Sequence, residues 1–265
     1  GSYMNILVTL NRGYLYQLCV MLSSLIKSNP DTEFDVYVMN ASLTEADFEA
    51  VRQRIPADKC RLIDIKTGEN EFADAPITDR YPREMYFRIF AAKYLPESLD
   101  RILYLDPDIV VLGSVKELYE TRLDGYYYAA ASHVNEVMRM INKIRLGMDD
   151  EGPYINSGVM LMNLDLLRSS QSEEEVYNYI SENEKLLILP DQDVLSGLYS
   201  DKIYPLEPLR YNMTERLMMY HMMTPENVRN ISAIVHYIGR NKPWKDSYIG
   251  KLGVFYEEAS KDIPP

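Results

Sequence analysis

Two carboxylates are set into an apolar run, Arg101-Ile-Leu-Tyr-Leu-Asp106-Pro107-Asp108-Ile-Val-Val-Leu112. Its β-branched and aromatic residues read as a buried strand. Acids inside such a strand need positive partners, because burying an unpaired charge is costly. Pro107 fixes its own φ and biases Asp106 toward extended backbone, in which residues i and i+2 project the same way. Asp106 and Asp108 then face one point. Two hard oxygen ligands at the carboxyl end of a strand suit a divalent cation, Mn²⁺ or Mg²⁺, carrying a phosphorylated ligand. The same spacing recurs at Asp191-Gln192-Asp193, and a solvated turn would also explain Asp106 and Asp108. Spacing by itself therefore does not decide.

The elements around this pair form an alternating pattern. Asn5 to Thr9 reads as a strand, Asn11-Arg12-Gly13 as a turn, and Gly13 to Ser28 as a helix with Leu15, Leu18, Cys19, Leu22 and Leu25 at helical spacing. Strand patterns at Asp35 to Asn40 and Cys60 to Ile65 flank a helical one at Thr44 to Ile55. This βαβαβ order predicts an α/β fold with a mainly parallel, mixed sheet flanked by helices. Such sheets take ligands beyond the carboxyl ends of their strands, so the turn after Thr9 is the first place to look. It carries neither a dinucleotide fingerprint nor a P-loop.

Asp79 to Tyr94 is a second helical pattern, with Pro82 in its first turn and Arg83 and Arg88 among apolar neighbours. Tyr126 to Ser132 reads as a strand, Val134 to Leu146 as a helix, Tyr154 to Asn163 as a strand, and Leu164 to Ser200 as short helices, the last opening at Pro190. There Asp191 can cap the helix and Asp193 favours its N-terminus. Met213 to Met223 gathers methionines around His221 and reads as helical core or an adaptable apolar wall. A strand from Ile231 to His236 and a helix from Ser247 to Ser260 close the pattern, while Gly1-Ser2 reads as an appended pair outside the fold.

Composition bounds the function. With 28 Lys and Arg against 40 Asp and Glu, the net charge of −12 argues against a general nucleic-acid or anionic-membrane surface. No run resembles a membrane span or a signal peptide, so the expectation is a soluble cytoplasmic chain with two buried thiols, Cys19 and Cys60.

With these pieces placed, the chain resembles the retaining glycosyltransferases of family 8, a group that includes bacterial lipopolysaccharide galactosyl- and glucosyltransferases. The resemblance rests on Leu105-Asp106-Pro107-Asp108, Tyr154-Ile-Asn156-Ser-Gly158-Val, Leu189-Pro-Asp191-Gln192-Asp193 and His236-Tyr-Ile-Gly239-Arg-Asn-Lys242-Pro243-Trp244, in family order between about Asn5 and Tyr256. It implies a single GT-A domain over residues 4–265 that binds UDP-glucose or UDP-galactose through Mn²⁺, with Mg²⁺ as the alternative. Asp106, Asp108 and His236 match the metal ligands. Thr9, Asn11, Tyr14, Arg88, Asp106, Asn156, Gly239 and Lys242 match donor-binding positions, with Lys242 on the diphosphate. Asp191 and Gln192 match the catalytic positions. Asn11 stands where an acid often meets the uracil, and Gly13 replaces an asparagine.

The resemblance further implies a glycan or lipid-linked acceptor, the acidic charge argues for no nucleic-acid partner, and the expected setting is peripheral, at the inner face of a membrane. Charge suggests the mechanism: Mn²⁺ and Lys242 would stabilise the departing UDP, and Asp191 with the Gln192 amide oxygen the sugar ring. A carboxamide is a poor nucleophile, which favours front-face attack. Two other readings stay open: a nucleotidyltransferase using paired aspartates, and a non-catalytic sugar-nucleotide-binding protein.

Overall fold

The computed structural model describes residues 1–68, 71–72, 75, 83–134, 136–148 and 153–265. Their strands are β1 (Ser2–Thr9), β2 (Thr32–Asn40), β3 (Cys60–Lys66), β4 (Arg101–Leu105), β5 (Ile109–Val111), β6 (Tyr128–Ala131), β7 (Val159–Asn163), β8 (Ile203–Leu206) and β9 (Ile234–His236). Helices used below are α1 (Leu15–Ser28), α2 (Glu45–Arg52) and α3 (Arg83–Ile89). The fold is mixed α/β, with a mostly parallel seven-stranded sheet flanked by helices.

The chain divides into two compact units, the first comprising Gly1–Lys66, Leu103–Glu120 and Glu207–Pro265. In it β1 pairs in parallel with both β2 and β4, and β2 pairs in parallel with β3. β1 and α1 supply Ile6, Leu7, Leu18, Leu22 and Leu25, all almost fully buried, as the βαβ pattern requires. α2 begins at a capping box: Thr44 accepts from Asp47 N, and Asp47 accepts from Thr44 N. β5 and β9 form a separate antiparallel pair in which Ile109 faces His236.

The second unit comprises Thr67–Ile102 and Thr121–Leu206. Here β6 is antiparallel to β7 and parallel to β8, so Ala129 lies opposite both Leu161 and Tyr204. The helices Leu164–Ser170 and Glu173–Asn183 start at the side-chain caps of Asn163 and Ser172.

Several boundaries differ from the sequence reading. The run from Arg101 to Leu112 is not one strand, because 106–108 separate β4, parallel to β1, from β5, antiparallel to β9. Pro107 has no N–H for a ladder, and the two acids take side-chain partners instead. Ser2 belongs to the fold: it opens β1 opposite Thr32 and places its Oγ 2.7 Å from Thr32 Oγ1. The helix expected from Ser247 begins only at Gly253. Before it, Asn241 exchanges hydrogen bonds with the backbone N–H and C=O of Ile249, at 3.0 and 2.6 Å, which takes groups a helix would need. Of the helix expected over Asp79 to Tyr94, positions 79–82 lie outside the described residues; α3 ends at Ile89 and a 3₁₀ turn follows at Ala91–Lys93. The methionine segment is core on one side alone, with Met213 and Met218 buried but Met219, His221 and Met222 exposed.

Candidate active site

In the first unit the β4–β5 break and the end of β9 converge. Tyr237 N donates to Asp108 O at 3.0 Å, continuing the β5–β9 pairing and bringing the His236 ring against both acids. His236 Nε2 lies 3.3 Å from Asp106 Oδ2 and 3.1 Å from Asp108 Oδ1. The i, i+2 argument for Asp106 and Asp108 is therefore realised, and one ligand atom from each of the three groups lies within 4.8 Å of the others. Lys242 Nζ contacts Asp108 Oδ2 at 2.5 Å and donates to Tyr237 O at 2.7 Å.

Each group is held from behind. Tyr104 OH donates to Asp106 Oδ1 at 2.6 Å and lies 3.2 Å from Thr9 Oγ1, so Thr9 reaches the acids through a tyrosine. His236 Nδ1 lies 2.9 Å from Asn212 Oδ1, with both residues buried. Neither Tyr104 nor Asn212 emerged from the sequence. Tyr104 could have been found, since it lies two residues before Asp106 in extended chain and shares its face. Asn212 is 24 positions from His236 and carries no sequence signal.

Burial opposes charge on His236, but the facing carboxylates of Asp108 and Asp106 outweigh it and hold the imidazole up at about 9. Burial likewise opposes charge on Asp108, which His236 and Lys242 draw down to about 2. A divalent cation fits these donors. Among the described residues no donor is aligned on the buried Asp108 Oδ1, and Nε2 lies 3.1 Å from it. Two carboxylates and one imidazole are a donor set that can hold a divalent cation.

The remaining first-unit positions have other local roles. Asn11 Oδ1 accepts from Gly13 N at 2.9 Å, capping the 3₁₀ turn after β1. Tyr14 meets Trp244 edge-on at 6.1 Å between centroids. Gly239 has φ of +76°, in the left-handed region open to glycine, and faces open space.

A second cluster lies within the second unit. Arg88, in the last turn of α3, places Nη1 2.6 Å from Asp191 Oδ2. Gln192 Oε1 accepts from Asn156 Nδ2 at 2.8 Å and from Ser157 N at 3.3 Å. Backbone donors fix both amides: Gly158 N donates to Asn156 Oδ1 at 2.9 Å, which turns Nδ2 toward Gln192, and Ser157 N requires an oxygen at its partner. The Gln192 oxygen thus accepts two hydrogen bonds from the protein, whereas the sequence reading offered it to the sugar ring.

Asp191 is not the helix cap that its sequence position suggested. The helix Pro190–Tyr199 has Leu189 at its N-cap, and Asp193 takes the free N–H groups, accepting from Ile188 N at 2.6 Å and Leu189 N at 3.1 Å. Asp193 also accepts from Tyr154 OH at 2.6 Å and pairs with Arg145 at 2.8 Å. Burial opposes its charge, yet Arg145 and Tyr154 keep its carboxyl below the ordinary range. The two acids of Asp191-Gln192-Asp193 thus differ in kind, one partly exposed beside Arg88 and one locked in the interior.

A mostly parallel sheet with paired aspartates after one of its strands, met by an imidazole from a separate antiparallel pair, belongs to a class, the GT-A glycosyltransferases. The sequence profile of glycosyl transferase family 8 matches residues 5–247, and the chain belongs to that family. It is 26% identical over 269 residues to a lipopolysaccharide 1,2-glucosyltransferase of Escherichia coli K12, covering 98% of this chain and 78% of that protein. It is 27% identical to general stress protein A of Bacillus subtilis, covering 86% of this chain and 82% of that protein. Among solved structures it resembles the galactosyltransferase LgtC in complex with donor and acceptor sugar analogues, with a TM-score of 0.82, 25% identity, and coverage of 99% of this chain and 97% of that one. Among the described residues no helix is long and apolar enough to cross a membrane.

Proposed function

We propose that residues 4–265 act as one catalytic domain that moves glucose or galactose from a UDP-sugar to a hydroxyl of a glycan or lipid-linked acceptor, with retention at the anomeric carbon. The observation that carries this reading is the Asp106–Asp108–His236 cluster, with one buried carboxylate oxygen that has no aligned donor among the described residues. The lipopolysaccharide glucosyltransferase and the galactosyltransferase to which the chain is similar support the hexose and the glycan acceptor. The proposed setting is the cytoplasmic face of a membrane.

Asp106, Asp108 and His236 Nε2 would hold Mn²⁺, or Mg²⁺ in its place. Once bound, the cation supplies positive charge where the departing UDP gathers negative charge. Lys242, whose ammonium rests on Asp108 and the Tyr237 carbonyl, is assigned to the diphosphate, and Gly239 to the backbone beside it. Thr9, Asn11 and Tyr14 are assigned to the nucleoside, with Tyr14 offering a ring for stacking. In the second cluster Asp191, paired with Arg88, is assigned to the positive charge of the sugar ring. Gln192 and Asn156 are assigned to the sugar hydroxyls.

With its oxygen engaged, Gln192 offers its NH₂ rather than a nucleophile, and this favours front-face transfer. The bond from anomeric carbon to phosphate oxygen breaks, the acceptor oxygen bonds to the same face, and the acceptor proton passes to the leaving phosphate.

The test is UDP release from a panel of UDP-hexoses with Mn²⁺, with Mg²⁺ and with chelator, beside thermal shifts with UDP. Mn²⁺-dependent release and stabilisation by UDP only when Mn²⁺ is present are expected. Pyrophosphate release from a nucleoside triphosphate would replace this reading by a nucleotidyltransferase, and Mn²⁺-dependent UDP-sugar binding without transfer or hydrolysis by a binding protein.

A further inference from the structure

We propose that Asn212 is a positioning residue for the cation site, acting through His236: its side-chain oxygen accepts a hydrogen bond from Nδ1–H and so leaves Nε2 as the nitrogen that binds the cation. The inference rests on the reading of Asp106, Asp108 and His236 as cation ligands.

The backbone fixes the geometry. Asn212 follows the short helix Pro208–Tyr211, and its N–H is spent on Pro208 O at 2.9 Å. The next residue, Met213, forms a bridge to β9: Met213 N donates to Ile234 O at 3.0 Å, and His236 N donates to Met213 O at 2.8 Å. Asn212 is thereby locked beside the ring, with no exposed surface, and reaches Nδ1 at 2.9 Å.

Chemistry supplies the rest. Neutral imidazole carries one N–H, and which nitrogen bears it decides which is free to ligate. An amide oxygen at Nδ1 keeps a proton on that nitrogen, so Nε2, 3.3 and 3.1 Å from Asp106 and Asp108, is the nitrogen that gives up its proton to ligate the cation. Groups that orient a ligating histidine in this way typically change metal affinity by roughly 10–100-fold when removed. Burial strengthens the requirement, since an unsatisfied Nδ1–H in the interior would favour rotation of the ring or the other tautomer.

Two measurements test the proposal on the full chain. The chain holds three histidines, so imidazole N–H signals can be assigned with a His236→Ala control. The metal-free wild type should show a slowly exchanging His236 Nδ1–H signal, lost in Asn212→Ala. By calorimetric Mn²⁺ titration, Asn212→Ala should bind about 10–100-fold more weakly, while Asn212→Asp, which keeps the acceptor, should stay within a few-fold of wild type. Circular dichroism checks that each variant is folded, and if Asn212→Ala unfolds, Asn212→Ser and Asn212→Asp carry the comparison.

A folded Asn212→Ala with unchanged Mn²⁺ affinity overturns the proposal, as does a wild type without the Nδ1–H signal. Wild type that binds no Mn²⁺ yet shows the signal would overturn the cation reading and leave the Asn212–His236 bond standing.

Discussion

Arg88 Nη1 lies 2.6 Å from Asp191 Oδ2, a charge-assisted contact spanning 103 residues of sequence within the second unit. Two positions further along, Asp193 is completely buried and accepts hydrogen bonds from Tyr154, Ile188 N and Leu189 N in addition to its pairing with Arg145. One Asp-x-Asp therefore holds a carboxylate assigned to chemistry and one that holds the fold.

That contrast separates two variants. Asp193→Ala is expected to cost about 3–5 kcal/mol, because Arg145 and Tyr154 lose their buried partner. Asp191→Asn should cost little stability but lower transfer by at least about 100-fold, on the scale of losing one preorganised electrostatic group. Denaturant unfolding and initial rates on the same preparations check both; the reverse ranking would exchange the two roles.

The cation site gives a pH dependence whose sign can be worked out. His236 is raised from an ordinary value of 6.5 to about 9, so the folded state holds a proton that the unfolded state releases. Its contribution to stability is complete below 6.5 and disappears as pH rises through about 9. Asp108 runs the other way: held at about 2 against an ordinary 3.8, it contributes above 3.8 and loses that contribution as pH falls toward 2. Metal-free protein should therefore lose stability from about pH 6.5 to 9 in melts at fixed ionic strength, while Mn²⁺ affinity rises over the same interval, because ligation requires Nε2 without its proton.

Asp108→Asn should abolish Mn²⁺-dependent stabilisation by UDP and lower transfer at least about 100-fold, while the chain stays folded. Lys242 and His236 would lose their shared carboxylate, and the His236 proton should come off at lower pH than in wild type. Wild-type rates from this variant would remove the metal assignment.

Asn156 and Gln192 should behave as one unit. Asn156→Asp sets an acceptor against Gln192 Oε1, and Gln192→Ala leaves the Asn156 and Ser157 donors without their acceptor. Each change should lower kcat by roughly 10-fold or more, and the double variant should lose little beyond either single one, as residues sharing a hydrogen-bond network are non-additive. Fully additive losses would show that the two side chains act separately.

Local chemistry in the sequence was enough to determine the βαβαβ start, the paired projection of Asp106 and Asp108 around Pro107, and the motif order that marks the family, since each depends on periodicity, on proline φ or on short spacing. Tertiary structure decided the rest. The register of β5 on β9 brings His236 to acids more than 120 positions earlier, and no local pattern encodes which strand pairs with which. Asn212 became visible only through the Met213–Val235 bridge. The difference between Asp191 and Asp193 likewise depends on burial and on the distant partners Arg88 and Arg145, which identical residue types at near-identical positions cannot announce.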